Sequence, residues 1–167
     1  EVENGVLKIW VDYKNLTRLN FNDKRNLKAY VSYKNLNKLI ASGGSDVNVD
    51  GTINSDDLVL NISGGSDFEG RVDVNELTID QSGGSDVDIE GRATKISIEA
   101  SGGSDFNGFG LKTDVCSVEA SGGSDVEISV AKELSARASG ASDVSYKGDP
   151  AIKEMKASGA GSVSKKS

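Results

Sequence analysis

The sequence predicts an all-β fold: a single-stranded, right-handed parallel β-helix, a solenoid with about 19–20 residues per coil. Three observations predict it. The pentapeptide Ser-Gly-Gly-Ser-Asp first occurs at Ser42 and recurs at intervals of 18 to 21 residues. Apolar and polar residues alternate within each repeat, which is typical of half-buried strands. No segment sustains the 3.6-residue period of an amphipathic helix, and the repeated glycine pairs would interrupt one.

Residues 1–40 precede the regular repeat, and we expect them to form N-terminal strands and a cap. Apolar residues predict one strand over 6–11 and a second over Leu27–Tyr33. Five of the nine aromatic residues lie in this segment: Trp10, Tyr13, Phe21, Tyr30 and Tyr33. A cap over the open end of the solenoid is the favoured interpretation, because terminal repeats are usually atypical. The alternative is ligand contact through an exposed patch of Trp10, Tyr13, Tyr30 and Tyr33.

Residues 41–163 are predicted to form the regular coils and residues 164–167 a tail, all within one domain spanning 1–167. Each coil is expected to hold two short strands joined at a glycine corner. The corner glycines are Gly51, Gly70, Gly91, Gly110 and Gly148. A single glycine can turn the chain sharply there, because it has no Cβ.

The predicted interior consists of small and branched side chains at alternate positions of these strands. Gly70 and Gly108 stand where a second inward apolar residue is expected, and we expect the rings of Phe68 and Phe106 to fill that space. Cys116 is the one cysteine and falls at an inward position, so we interpret it as a core residue and not as a reactive thiol.

Stacking of the coils predicts two polar columns, with rungs about 4.8 Å apart. One is an aspartate column: Asp46, Asp67, Asp86, Asp105, Asp125 and Asp143. The other consists of the first serine of each pentapeptide, the predicted turn serines: Ser42, Ser63, Ser82, Ser101, Ser121 and Ser139. A decayed last copy has Ser162 in place of the aspartate.

Three arrangements can offset the repulsion between stacked carboxylates. Each aspartate can accept hydrogen bonds from backbone N–H and serine hydroxyl groups in its own corner, cations can bind between rungs, or a basic partner or substrate can dock on the column. The residue types favour the first, architectural arrangement. We predict no metal site and no cofactor; calcium is the alternative, although the chain lacks the second glycine-rich turn of calcium-binding repeats.

Composition narrows the classes of function and partner. The net charge of −7 disfavours nucleic acid and anionic membrane surfaces, and no apolar run is long enough to insert in a membrane. Histidine, the commonest general base, is absent. We expect a processed or truncated chain without a leader, because Glu1-Val2-Glu3 does not resemble a natural N-terminus.

These observations predict a non-catalytic module with a binding or structural role. Its expected partners are a glycan or a host or cell-surface protein. One alternative is a polysaccharide-active enzyme that uses the aspartate column, but six equivalent carboxylates provide no distinct acid and base. The other is a scaffold that self-associates through coil ends or ladder faces, because an open coil exposes unpaired strand edges.

The repeated Ser-Gly-(Gly/Ala)-Ser-Asp-Val segments, each preceded by an alternating strand, resemble the GIN-domain family of auto-transporter adhesin heads. Gly5–Ile9 and Leu36–Gly43 are similar to the earlier segments of that family. The resemblance covers essentially the whole chain. It implies a right-handed β-helix from a secreted or cell-envelope protein of a Gram-negative bacterium, and it carries no catalytic residues.

Overall fold

The computed structural model describes residues 1–10 and 27–167. The chain divides into two compact units, residues 1–32 and residues 33–167. In the first unit, strands β1 (Val2–Glu3) and β2 (Val6–Leu7) form an antiparallel pair. The Asn-Gly dipeptide between them has positive φ at both residues, as a tight hairpin turn requires. The strand predicted over Leu27–Tyr33 is wrong, because these residues make no strand pairing.

The second unit is a parallel β-solenoid of about seven turns, with about 19 residues per coil. Its strands are β3 (Lys38–Ala41), β4 (Asp46–Ser63), β5 (Asp67–Ser82), β6 (Asp86–Ala100), β7 (Asp105–Ala120), β8 (Asp125–Ala138), β9 (Asp143–Lys147), β10 (Ala151–Ala157) and β11 (Ser162–Lys165). They lie in the order β3-β4-β5-β6-β7-β8-β9-β11, and β10 pairs with β8. Since every pair is parallel and the described residues contain no helix, the predicted fold class is confirmed.

Each central coil is one long bent strand, whereas the sequence predicted two short ones. β5, for example, continues through Gly70 and stays paired with β6 on both sides of this corner. The predicted corner glycines are not in register with each other, because Gly70 pairs with Ile89 and Gly91 pairs with Val72, yet the pairing continues past both. Pro150, which has no N–H to donate, lies between β9 and β10, where the strand is divided.

The solenoid interior confirms the prediction that phenylalanine rings fill the space left by the glycines two residues later. Phe68 and Phe106 are fully buried. A Cβ at Gly70 would lie 3.0 Å from Cζ of Phe68, and a Cβ at Gly108 would lie 2.4 Å from Cε1 of Phe106. Each ring therefore occupies the space that a side chain two residues later would need.

Cys116 also lies in this interior, as predicted. Its side chain is buried between the neighbouring coils, and this burial raises the pKa of the thiol to about 12. A neutral thiol shielded from solvent is a poor nucleophile, so Cys116 acts as a small apolar core residue.

Candidate functional site

The six predicted aspartates lie together in one column. Strand register pairs Asp46 with Asp67, Asp67 with Asp86, Asp86 with Asp105, Asp105 with Asp125, and Asp125 with Asp143, and it ends at Ser162. All six are exposed. Parallel pairing sets the rungs about 4.8 Å apart, so the column is a regular row of carboxylates facing solvent.

The residue just before each aspartate is a second serine, which sequence reasoning missed. Its hydroxyl donates to the carbonyl oxygen of the first serine in four copies, at Ser45, Ser85, Ser124 and Ser142. The second serine of the pentapeptide is fully buried in five copies: Ser66, Ser85, Ser104, Ser124 and Ser142. The hydroxyl of Ser124 lies 3.0 Å from the carbonyl oxygen of Ser121 and 3.2 Å from that of Ala100. Ser142 makes the same two contacts one coil later, at 2.8 and 3.0 Å. This hydroxyl column stabilises the turn and ties it to the preceding coil.

The predicted turn serines, the first of each pentapeptide, contribute mainly through their backbone. The carbonyl oxygens of Ser42, Ser82, Ser121 and Ser139 accept hydrogen bonds from the second serine. The hydroxyls of Ser101 and Ser139 make only long contacts, at 3.4 Å, with carbonyl oxygens of the previous coil. Ser42 and Ser139 are exposed, and Ser63, Ser82, Ser101 and Ser121 are half-buried.

The aspartate carboxylates receive little neutralisation within the part of the chain that the structure describes. The Oγ of Ser162 donates to Oδ1 of Asp143 at 2.6 Å, where the column ends. At Asp86, partial desolvation and then the charges of Asp105, Asp67 and Asp88 raise the pKa of the carboxyl, and a backbone amide of Asp105 opposes them. The negative potential of the column is therefore largely uncompensated.

A second polar column lies beside the first, two residues further along each strand, where side chains point to the same side. Its members are Asn48, Glu69, Asp88, Asn107 and Glu127. We call the two columns together the acidic face. No residue of the acidic face forms an ion pair with any other described residue.

Two open grooves follow the surface of the solenoid. The Phe109 groove, of about 750 Å³, includes the second column of the acidic face and is also lined by Arg71, Glu90 and Phe109, among others. The Arg137 groove, of about 710 Å³, runs along the other half of the coils and is lined by Asp80, Glu99, Glu119, Arg137 and Lys156 with flanking serines.

The Arg137 groove already contains its own counter-charges. Arg137 donates to Glu119 at 2.6 Å and to Glu154 at 2.8 Å, and these hydrogen bonds raise the pKa of the guanidinium further above its ordinary value. Lys156 lies 2.5 Å from Glu154. Among the described residues, the lining of the Phe109 groove holds one ion pair, Arg71 with Glu90, and the acidic face holds none, so their carboxylates are less compensated than those of the Arg137 groove.

The structure describes three of the four aromatic residues that were predicted to contact a ligand. Trp10 and Tyr30, in the first compact unit, are 60% and 93% exposed. Tyr33, in the second unit, is 44% exposed. Tyr13 and Phe21 lie outside the described residues. Both the cap and the ligand-contact interpretation stay predictions.

The described residues bring no three carboxylate or thiol groups together in an arrangement that could hold a metal ion. No described helix is long and apolar enough to span a bilayer. Chemically, the surface supplies a periodic row of exposed carboxylates and a groove with one aromatic ring.

Known structures share this architecture. A "putative adhesin" from Bacteroides fragilis superposes with a TM-score of 0.74 at 23% identity, over 78% of this chain and 60% of that one. A "putative lipid binding protein" from Parabacteroides distasonis gives a TM-score of 0.61 at 17% identity, over 79% of this chain and 62% of that one. Identities this low support a common fold alone, and the chain spans about three fifths of each.

No curated protein of known role matches the sequence. A family described as "Putative auto-transporter adhesin, head GIN domain" matches residues 1–150. The match covers the hairpin, the aspartate column and the buried serines. This chain therefore belongs to the GIN-domain family of auto-transporter adhesin heads.

Proposed function

We propose that this chain is a non-catalytic binding module of the cell envelope or of the secreted proteins, and that the acidic face is its contact surface. The adhesin description of the family supports a binding role at the cell surface. The two similar structures carry names of binding proteins, an adhesin and a lipid-binding protein, which agree with that role in general terms. The expected partner is a glycan or a protein of a host or neighbouring cell.

The observation that carries this proposal is the regular placement of the six aspartates. Each follows a serine in the same turn, is exposed, and pairs in register with the next. Hydrolysis by two carboxylates needs one group that holds a proton and another that does not, and this difference comes from unlike surroundings. A regular row instead provides many equal contacts, which suits binding to a long or repetitive partner.

The decisive experiment compares binding and turnover in one pair of variants. The double variant Asp86→Asn/Asp105→Asn neutralises the centre of the acidic face, and Asp80→Asn/Glu99→Gln makes the same charge change in the Arg137 groove. Binding to a glycan array and to immobilised cell-surface proteins should be lost in the first variant and retained in the second. Incubation of the wild type with acidic and neutral polysaccharides should release no shorter chains.

Two results contradict this proposal. Polysaccharide cleavage that disappears in Asp86→Asn/Asp105→Asn would identify an enzyme instead. Equal binding by both double variants would place the contact surface elsewhere on the chain.

Self-association is a second candidate role, favoured by the edge strand β3. Among the described strands, β3 pairs only with β4, and its Ile40 side chain is 64% exposed. An open edge of this kind can pair with a second copy. Light scattering should then show a mass that increases with concentration, and Ile40→Lys should abolish the increase.

A further inference from the structure

Phe109 is the one outward-facing aromatic residue between residues 46 and 149, because Phe68, Phe106 and Tyr146 are buried. It follows the alternation of β7, in which Asp105 and Asn107 are also outward and Phe106 is buried. Between the pairs Asp88–Asn107 and Gly91–Leu111, β7 has three residues where β6 has two. Between the pairs Gly108–Ile128 and Lys112–Ser129, β7 has three residues and β8 has none, which defines a β-bulge in β7. This β-bulge follows directly after Asn107 and Gly108, and the half-buried ring of Phe109 lies in the groove beside it.

The neighbouring coils support this bulge in a specific way. Ser129 in β8 donates its hydroxyl to the carbonyl oxygen of Phe109 at 2.8 Å, which satisfies the group that the bulge frees. Lys147 in β9 is paired with Ser129 and reaches past its short side chain. The Nζ atom of Lys147 lies 4.4 Å from the centre of the Phe109 ring, in a cation–π arrangement. The ring face is therefore already used to hold an ammonium group.

The surroundings of the ring carry more negative than positive charge. Glu90 is paired with Arg71 at 2.5 Å, whereas Glu69, Asp88 and Glu127 have no ion-pair partner among the described residues. Asp88 and Glu127 lie one rung to either side of Asn107, the residue two before Phe109. Asn107 thus lies between two free carboxylates about 10 Å apart along the solenoid, and the ring of Phe109 lines the same groove.

We propose that the Phe109 groove binds lysine or arginine side chains of an extended basic segment in a partner protein, and that Lys147 occupies the ring face until this partner binds. The inference rests on the proposed binding function and names the chemistry of its partner. A segment fits better than a single small cation, because the free carboxylates extend over several coils on both sides of the ring. Same-side residues of an extended chain are about 6.8 Å apart, so successive basic side chains reach different rungs.

The test uses a synthetic six-residue peptide of alternating lysine and glycine, and the same peptide with acetylated lysines, followed by NMR titration at 0.15 M salt, an ionic strength of about the physiological value. The unmodified peptide should bind, and the methylene resonances of Lys147 should move away from their ring-shifted positions. Phe109→Leu keeps an apolar side chain but removes the π face, and it should weaken binding about two- to fivefold. The acetylated peptide should not bind.

Lys147→Gln removes the internal occupant and should strengthen binding. Lys112→Gln is the matched control, since Lys112 lies in the same column as Ser129 and Lys147 and loses the same charge. A larger gain in Lys147→Gln than in Lys112→Gln supports displacement from the ring. Equal gains in affinity in the two variants would mean that binding depends only on net charge, and would overturn the inference.

Other outcomes separate this inference from the proposed function. Absence of peptide binding, or equal affinity of wild type and Phe109→Leu, overturns the basic-segment inference. If the glycan or protein binding lost in Asp86→Asn/Asp105→Asn is unchanged in Phe109→Leu, the acidic face remains the contact surface and the ring of Phe109 has no part in it. Circular dichroism of each variant establishes that the solenoid is folded.

Discussion

Two adjacent residues of the same pentapeptide form columns with opposite properties. Ser124 is fully buried and its hydroxyl contacts two carbonyl oxygens, whereas Asp125 is exposed and makes no ion pair with a described residue. The serine column holds the turn together, and the aspartate column faces solvent. Repetition alone therefore does not reveal which polar residue maintains the fold and which is available for contact. Burial distinguishes them.

The largest effect is expected when the buried serine is replaced by the exposed residue type. Ser124→Asp places a carboxylate in the interior without a basic partner, which should lower the free energy of unfolding by about 3–5 kcal/mol. The reverse change, Asp125→Ser, should alter it by no more than about 0.5 kcal/mol. Urea unfolding followed by circular dichroism measures both. Similar losses in the two variants would remove the distinction between the columns.

The glycine pair before these residues should show a smaller but clear asymmetry. Gly122 has a φ of 79°, and a Cβ there would lie 2.7 Å from the carbonyl oxygen of Gly102. A Cβ at Gly123 would lie 3.7 Å from the same oxygen, an ordinary contact, and Ala141 occupies the equivalent place in a later copy. Gly122→Ala should destabilise the fold by about 2–4 kcal/mol. Gly123→Ala should be nearly neutral in the same urea experiment.

Removing single hydroxyls tests whether hydrogen bonding, and not size, accounts for the serine column. Ser124→Ala should lower the free energy of unfolding by about 1–2 kcal/mol, because it leaves buried carbonyl oxygens with fewer donors. Ser104 is equally buried, but its hydroxyl has no hydrogen-bond partner among the described residues. Ser104→Ala should therefore be neutral or slightly stabilising. A loss as large as that of Ser124→Ala would show that Ser104 does find a partner.

The smallest effect concerns the exposed column and depends on pH. Since the pKa of Asp86 in the folded protein is raised above its ordinary value of 3.8, the unfolded chain releases this proton first as the pH rises. At pH values at which Asp86 is ionised in the folded protein, its carboxylate therefore lowers the free energy of unfolding. The effect disappears at lower pH, where Asp86 is protonated in both the folded and the unfolded chain.

Asp86→Asn should therefore raise Tm at pH 7 by about 1 °C, because solvent screens an exposed carboxylate, and the gain should disappear below the ordinary pKa. Thermal unfolding at several pH values measures this change. Asp80→Asn is the control for the loss of one charge. A decrease in Tm at pH 7 would mean that the folded protein stabilises ionised Asp86.

Much of the fold follows from the sequence because one period fixes the stacking of every coil. The same register predicts that the aspartates form a column. The buried serine was missed, although a signal exists: alternation places residues two apart on the same side, so an inward Val126 implies an inward Ser124. Phe109 was also missed, although the same alternation places it on the outward side, four residues after Asp105. The bulge beside it leaves a trace in the 20-residue interval between Ser101 and Ser121.

Gln81 illustrates what the period cannot provide. It stands where later copies have alanine, and the structure buries it with its amide nitrogen donating to the carbonyl oxygens of Ser85 and Asp105, at 2.6 and 2.7 Å. A sequence pattern identifies the unusual residue. Only the coordinates show that two different coils supply its acceptors.

The buried serine and the exposed aspartate are adjacent within one repeat. Each regular coil therefore contributes one residue that stabilises the turn and one carboxylate that faces solvent. Inserting or deleting one unit would lengthen or shorten the solenoid by a single rung while leaving each remaining rung the same. The number of equivalent aspartates offered to the proposed repetitive partner is thus an integer set by the number of coils. Avidity can change in steps during evolution without any alteration of the individual contact.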